Sequence, residues 1–363
     1  MFERRLYYHI DWLLIAAIVA LSAMGVAMIF STTHAGPNAG LYVKQLYAIG
    51  LGAVALMICL MIDYRSLADS SLAFYGAVIA LLVWVLLFGT TGGGARRWIP
   101  LPFFNLQPSE FAKVVLALAL AKFFDESRRG SPSTTDLAAG GVLTIIPFVL
   151  IARQPDLGTA VTLVPVFLAI AYLAGMRLRL LGILLLVAIV AAPVAWKYAL
   201  KDYQRSRIST FIDPEQDPRG AGYQQIQARI SVGSGGIWGK GFLKGTQGQL
   251  RFLPVAWNDF VFSVLAEEQG FVGVIVALGL YLFVIVRSLE AARLAKDRLG
   301  AYLVLGVLAT FAFQVIYNIT MSAGLAPVKG LTLPLMSSGG SSIIATLAGF
   351  GLILNVRMRR FTN

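Results

Sequence analysis

Apolar runs about as long as a bilayer is thick recur along this sequence, and they decide what it can fold into. They fall near residues 11–30, 42–62, 72–90, 108–124, 137–152, 159–175, 178–198, 259–286, 300–323 and 337–356. A helix crossing the hydrocarbon core needs about 20 apolar residues, whereas a barrel strand needs about ten that alternate in polarity. A helix also keeps its backbone hydrogen bonds within the segment, as lipid demands. The expectation is an all-α polytopic membrane protein with about ten transmembrane helices. Composition agrees: 58% of the 363 residues are hydrophobic and 13% charged, and the mean hydropathy is +0.75. A soluble domain of this size cannot hide that much apolar surface. The 36 glycines suit close helix contact in lipid. Arg4 and Arg5 precede the first run as they would in a signal peptide, but the run is too long and no small-residue cleavage site follows. It reads as a retained helix.

The net charge of +12 suggests nucleic acid until its distribution is followed. With the N-terminus inside, fifteen Lys and Arg side chains fall in inner segments, against five (Lys44, Arg96, Arg97, Arg153 and Lys329) in short outer loops. That is the bias of a cytoplasmic face. Most of the basic excess is therefore topology, no nucleic-acid partner is expected, and both termini are expected in the cytoplasm. Cys59 is the single cysteine, so there is no internal disulfide. His9 and His34 lie far apart in sequence, without metal-ligand spacing.

The long connection at 199–258 carries too many aromatic and branched residues to read as disordered. Within it, "YQQIQARISV" suggests an amphipathic helix on the membrane surface, with Ile226 and Ile230 at i, i+4. The glycines of "GSGGIWGKGFLKG" suggest close backbone approach to a ligand.

Ionisable groups within spans are costly and mark candidate sites. Glu110 and Lys113, at i, i+3 on the fourth run, either fix helix packing as a pair or hold a cation near an anionic headgroup. Asp259 opens the eighth run. It is either an N-cap or a general base at the water boundary, its carboxyl raised by partial burial. Glu267 and Glu268 lie about 12 Å deeper at helical rise and read as structural groups within the bundle. Outside, a basic set that includes Arg96, Arg97, Arg205, Arg207, Arg219 and Lys329, with Asp156 in a short loop, suits a pyrophosphate or anionic lipid head. The stretch "SSGGSS" at 337–342, which contains Ser341, offers hydroxyls and amides as an anion nest, or else only a flexible helix entrance. From the residues alone, this is a membrane protein with an outward polar site for a lipid-linked phosphorylated substrate. Transport and transfer chemistry both fit.

The stretches "GGGARRWI", "LQPSEFAKV", "QPDLGTA", "SVGSGGIWGKGFLKGTQ", "DFVFSVLAEEQGFVG" and "LPLMSSGGSS" resemble, in order and nearly end to end, the SEDS family (shape, elongation, division and sporulation). The likeness is nearer to its elongation branch than to its division branch. The resemblance implies one ten-helix domain over 1–363, with a large extracytoplasmic loop at about 199–258 between helices seven and eight. It implies peptidoglycan glycosyltransferase activity on lipid II, a class B penicillin-binding protein as transpeptidase partner, and work with the elongation machinery at the bacterial inner membrane. The family's essential Asp matches Asp259, its Glu and Lys on the fourth helix match Glu110 and Lys113, and its outer-loop Asp matches Asp156. This chain departs where many relatives have Pro-Glu and then His-Thr-Asp, having Val255, Trp257 and Asn258 there, and where relatives have Tyr it has Ser338.

On this reading Asp259 takes the proton of the acceptor 4-hydroxyl, which attacks the anomeric carbon of the lipid-linked donor chain with inversion. Undecaprenyl pyrophosphate leaves. Lys113, Arg205, Arg207 and Lys329 are expected to stabilise its charge, with Glu110, Asp156 and Ser341 holding substrate. A divalent cation is compatible with that work, although no ligand set is evident. The rival readings are a lipid II flippase that leans on Glu267 and Glu268, a division-branch role, and a scaffold that only recruits a synthase.

Overall fold

The computed structural model of this chain describes residues 9–34, 38–92, 95–101, 105–127, 132–199, 202–217 and 220–361. Arg4, Arg5, Arg128, Arg129 and Arg219 of the charge analysis therefore lie outside the described residues. Helix falls on every apolar run. The first two runs give α1 (Trp12–Thr33) and α2 (Leu41–Met61), followed by a short α3 (Tyr64–Asp69) and by α4 (Ser71–Phe88). An antiparallel sheet of β1 (Thr90–Gly92), β2 (Ala95–Pro100) and β3 (Asn105–Leu106) leads into α5 (Pro108–Glu126), which starts with proline in the first turn, where its missing N–H costs nothing. Then come α6 (Thr134–Arg153), α7 (Leu157–Val161), α8 (Leu163–Leu173) and α9 (Leu178–Val194). The long connection folds into α10 (Asp202–Ile212), α11 (Ala221–Ser234) and α12 (Thr246–Gln249), and the chain closes with α13 (Val261–Arg293), α14 (Arg298–Ser322) and α15 (Gly340–Met358).

By length and composition seven of these helices, α1, α2, α4, α6, α13, α14 and α15, can cross a membrane. The other three apolar runs are interrupted or short. Helix α5 carries Glu110, Lys113, Lys122, Asp125 and Glu126, the sixth run is divided into α7 and α8, and α9 has 17 residues. The centre of the bundle is α14 and α15, where 67% and 83% of the most apolar stretch is buried, against 22% in α2, α4 and α6. Small residues let the backbones meet there. A Cβ at Gly351 would lie 2.7 Å from the Leu56 carbonyl of α2, and one at Gly306 would lie 2.9 Å from the Ala117 Cβ of α5. At the end of the bundle that holds Asp11 and Arg357, charges are paired: Asp11 Oδ2 lies 3.1 Å from Arg287 Nε and 2.9 Å from Arg357 Nη1.

The sequence does not announce a break in α13. At Gly270 the backbone turns to φ 64°, ψ −162°. The two helical bonds that would cross the break, from the amides of Phe271 and Val272 to the carbonyls of Glu267 and Glu268, are replaced by bonds to the long connection. Phe271 N and Val272 N donate to Gly236 O (2.9 Å) and Ile237 O (3.2 Å), while Lys240 N and Gly241 N donate to Glu267 O (3.0 Å) and Glu268 O (2.9 Å). The connection is spliced into the helix, and these four backbone groups at the break find their partners there.

This corrects the ligand reading of "GSGGIWGKGFLKG": Gly235, Gly239 and Gly245 make their close approach to α13. A Cβ at Gly235 would lie 1.9 Å from Ala266 O. "YQQIQARISV" is helical within α11, which packs Gln225, Ala228 and Ser231 against the protein and leaves Ile230 exposed. Ser231 Oγ bonds Ser263 O of α13 at 3.0 Å.

Two glycine substitutions test the splice. Gly239 has φ +77°, and a Cβ there would lie 2.2 Å from Glu268 O, whereas a Cβ at Gly233 in α11 meets nothing within 4 Å. Gly239→Ala should cost at least about 1–3 kcal/mol and lower the melting temperature and monodispersity of the detergent-solubilised protein. Gly233→Ala should be neutral or slightly stabilising. The comparison is read from thermal unfolding of the two variants side by side.

Candidate active site

Residues 257–259 end the long connection and deliver Asp259 to the mouth of α13. The N-cap reading fails here: Phe260 is the cap, and it makes no side-chain cap bond. The Asp259 carboxylate is therefore free for other work. It accepts a bond from Asn258 Nδ2 at 2.9 Å, and Gly330 leaves the space beside it, since a Cβ there would lie 3.5 Å from Oδ2. Burial pushes the carboxyl up to about 6, against the downward pull of Arg207 and Arg97. Asp259 is thus poised to exchange a proton near neutral pH.

Next to Asn258 and Gly330 lies a polar cavity of about 120 Å³, with Arg97, Gln107, Glu110, Asp156, Ser338 and Ser341 among its lining. On one wall Asp156 caps α7 and is held from several sides. It accepts Thr159 N (3.2 Å), Thr159 Oγ1 (3.0 Å) and Gln107 Nε2 (3.1 Å). Arg97 Nε lies 3.8 Å from the same carboxylate, and Arg97 Nη2 donates to Pro155 O at 2.5 Å. Ser341 is at the wall, but its hydroxyl is committed to the backbone: it accepts Gln107 N and donates to Asn105 O, both at 2.9 Å. It joins the entrances of α5 and α15 and presents no free hydroxyl nest.

Below this cavity Glu110 and Lys113 form a buried pair at 2.6 Å, and Lys113 Nζ also reaches Gln314 Oε1 of α14 at 3.2 Å. Glu110 lines the polar cavity and also a second one of about 30 Å³ shared with Lys113, Thr310 and Gln314. Lys113 thus stands one layer behind the polar cavity, with Glu110 between. Lys329 adjoins Gly330, and its ammonium lies 5.7 Å from the Tyr317 ring centroid. Burial, and then the like charge of Arg207, lower its pKa.

The two arginines of α10 part company. Arg207 is exposed and its charge is felt at Asp259 and Lys329. Arg205 turns back to Lys197 O (2.9 Å) and Asp202 (3.7 Å) and does not join the site. Glu267 latches the long connection, and Glu268 ties α13 to α1. Glu267 takes Lys240 Nζ at 2.5 Å and Thr246 N at 2.8 Å, and Glu268 takes Ser31 Oγ at 2.5 Å. Among the described residues no three His, Cys, Asp or Glu side chains group as a metal-ligand set.

Sequence reasoning missed Gln107, Asn258, Gln314 and Asn318, and it ranked Arg97 only as one cation among many. A signal for two of them is present: Gln314 and Asn318 are amides at i, i+4 within an otherwise apolar run.

The raised carboxyl gives a stability test. Its folded-state value, about 6, lies above the ordinary 3.8. Ionised Asp259 therefore costs stability above pH 6; the cost shrinks as pH falls and vanishes below the ordinary value. Asp259→Asn should melt at an equal or higher temperature than the parent at pH 7–8, with the difference closing toward pH 4. Thermal unfolding across that range measures it.

Comparison with known proteins gives a consistent picture. Residues 6–361 match the family described as cell cycle protein, of FtsW, RodA and SpoVE. The chain is similar to the peptidoglycan glycosyltransferase MrdB of Escherichia coli K12, 37% identical over 352 residues, 97% of this chain and 94% of that protein. It is similar also to the probable peptidoglycan glycosyltransferase FtsW of Trichlorobacter lovleyi, 38% identical over 360 residues, 95% of this chain and 92% of that one. Its fold matches a chain of a peptidoglycan synthase complex described as coordinating polymerization and crosslinking, with TM-score 0.83 and 37% identity over 98% of this chain and 99% of that one.

Proposed function

The chain belongs to the FtsW, RodA and SpoVE family of cell cycle proteins, and we propose from that membership and the geometry of its site how it polymerises peptidoglycan. It is a peptidoglycan glycosyltransferase of the bacterial inner membrane and works beside a class B penicillin-binding protein that crosslinks the product. Its substrates are lipid II and the growing lipid-linked glycan. Both termini lie in the cytoplasm, and the polar cavity faces the periplasm, where lipid II headgroups are joined.

The observation that carries the mechanism is the Asp259 carboxylate, freed from helix capping and raised to about 6 beside a polar cavity. It accepts the proton of the acceptor GlcNAc 4-hydroxyl. That oxygen bonds to the donor MurNAc anomeric carbon as the bond from that carbon to phosphate breaks, and the electron pair leaves on undecaprenyl pyrophosphate. The centre inverts. One carboxylate suffices because pyrophosphate needs little acid help. Arg207 and Lys329 supply positive charge where it leaves, and Arg97, held against Asp156, offers a further cation on the cavity wall. Lys113 acts through Glu110, which reaches the cavity. A flippase path would need the deeper acids of α13; Glu267 is instead taken up by Lys240 and Thr246 of the long connection, and Glu268 Oε1 accepts Ser31 Oγ of α1.

Identity does not separate elongation from division, standing at 37% to MrdB and 38% to FtsW. We assign the elongation role, and rescue of rod shape in cells depleted of their elongation member, without rescue of division in cells depleted of the other, is the expected result.

The direct test supplies labelled lipid II to the chain with its penicillin-binding partner, a β-lactam blocking crosslinking. The parent should make polymer, and Asp259→Asn, equally folded, should lose about 100-fold or more of the rate. The acid limb of the rate profile should lie near pH 6, since a base must be deprotonated to act. Arg207→Gln removes a charge that holds the carboxyl down, so the limb should move to higher pH. Equal polymer from Asp259→Asn removes Asp259 as the base.

A further inference from the structure

A base must be held at the right height as well as at the right pKa, and the Asp259 main chain is held in an unusual way. The helical ladder of α13 begins at the Phe260 carbonyl, which accepts Val264 N at 3.2 Å. The three carbonyls before it lie outside that ladder, and each is caught from another part of the chain. Trp257 O accepts Ser338 N at 3.0 Å. Asn258 O accepts Ser337 Oγ at 2.5 Å. Asp259 O accepts Asn318 Nδ2 at 2.9 Å, and the same amide donates to Leu331 O at 2.7 Å. Ser337 Oγ in turn accepts Leu333 N at 2.8 Å. One side chain of α14 therefore fastens two segments together: the one that carries Asp259 and the one that carries Lys329 and Gly330.

Asn318 is fully buried, and its Oδ1 has no protein partner. An apolar residue would fill such a place without leaving a polar atom unsatisfied. What the amide provides is a pair of donor bonds to two main-chain carbonyls on facing segments. We propose that Asn318 is a positioning residue for the transfer reaction, holding the Asp259 carboxylate in register with the Gly330 wall. This rests on the reading of Asp259 as the base. Asn318 touches no substrate; it acts through Asp259. Ser337 serves the same register from the α15 side, one carbonyl earlier.

A buried amide of purely structural use lies at the other end of the bundle and serves as a control. Asn355 Nδ2 donates to the carbonyls of Cys59 (2.7 Å), Leu60 (3.0 Å) and Ile62 (2.5 Å), closing the end of α2.

The test uses the full chain with its penicillin-binding partner and labelled lipid II, and follows kcat, KM and the rate profile from pH 5 to 8. The charged groups acting on Asp259, Arg207 from α10 and Arg97 from β2, stay in place throughout. Asn318→Ala should lower kcat about tenfold or more, as expected for a small displacement of a reacting group, with KM within about twofold. It should also move the acid limb to lower pH as the loosened carboxylate gains water. Ser337→Ala should move both in the same direction by less. Asn355→Ala should lower the melting temperature and leave kcat per folded protein and the acid limb unchanged. Should Asn318→Ala fail to fold, Ser337→Ala decides on the same readouts. If Asp259→Asn is inactive while Asn318→Ala and Ser337→Ala keep the parent kcat and acid limb, positioning is overturned and the base stands. If Asp259→Asn itself stays active, the base reading falls first.

Discussion

Lipid offers no hydrogen bonds, so a chain that breaks a membrane helix must find partners for each peptide group it frees. This constraint governs the architecture around α13. The break at Gly270 frees the carbonyls of Glu267 and Glu268 and the amides of Phe271 and Val272, and residues 236–241 supply all four partners. The long connection is therefore part of the bundle. Two acids add side-chain bonds to the same junction, Glu267 through Lys240 and Thr246, and Glu268 through Ser31 of α1. The buried first segment of α13, Val261–Glu268, is thus anchored at its deep end, and its shallow end presents Asp259. The carboxylate proposed as the base is placed by a helix that is fixed behind it.

The carboxylates of α13 and its approach divide their work by how they are solvated. Glu267 has an ammonium, a hydroxyl and backbone amides around it and stays fixed. Asp259 has one amide close by and the more distant charges of Arg207 and Arg97, which do not fully offset burial. A saturated acid contributes to stability and is a poor base. A half-satisfied one costs stability and gains basicity near neutral pH. The local departure from complete pairing is what would be expected at a functional position.

Much of this was legible in the sequence because one quantity, the length of apolar runs, decides where helices fall in a membrane protein. Each run carries helix. The break in α13 was not legible, because "EEQGFVG" reads as continuous helix with glycines of the kind lipid-facing packing uses, and only a distant loop makes Gly270 a break. For the same reason the glycines of the long connection looked like a ligand cradle: the pattern signals close approach but not to what. Arg205 and Arg207 illustrate a second limit. Two residues apart on α10, they point roughly 200° apart at helical spacing, and the sequence does not say which side faces Asp259. Asn318 was visible as an amide within an apolar run, but its two carbonyl partners are 59 and 13 residues away along the chain.

The two ends of the bundle treat charge in opposite ways, and the contrast bears on how the reaction is driven. At the end away from Asp259, Asp11, Asp63 and Asp297 each lie within 3.1 Å of an arginine nitrogen. Those pairs are closed, and they hold helix ends together. At the end that holds Asp259, Arg207 and Arg97 act on its carboxyl from a distance, yet among the described residues neither cation is drawn into a direct ion pair with it. A direct Arg207–Asp259 pair would neutralise the cation and hold the carboxyl low, so both groups would lose the property the proposed reaction needs. On the proposed mechanism, keeping them apart leaves a base that is close to its working pH and cations whose partner arrives with the substrate. In that reaction the negative charge that grows on the departing pyrophosphate meets a field already in place, and little reorganisation is required as the bond breaks.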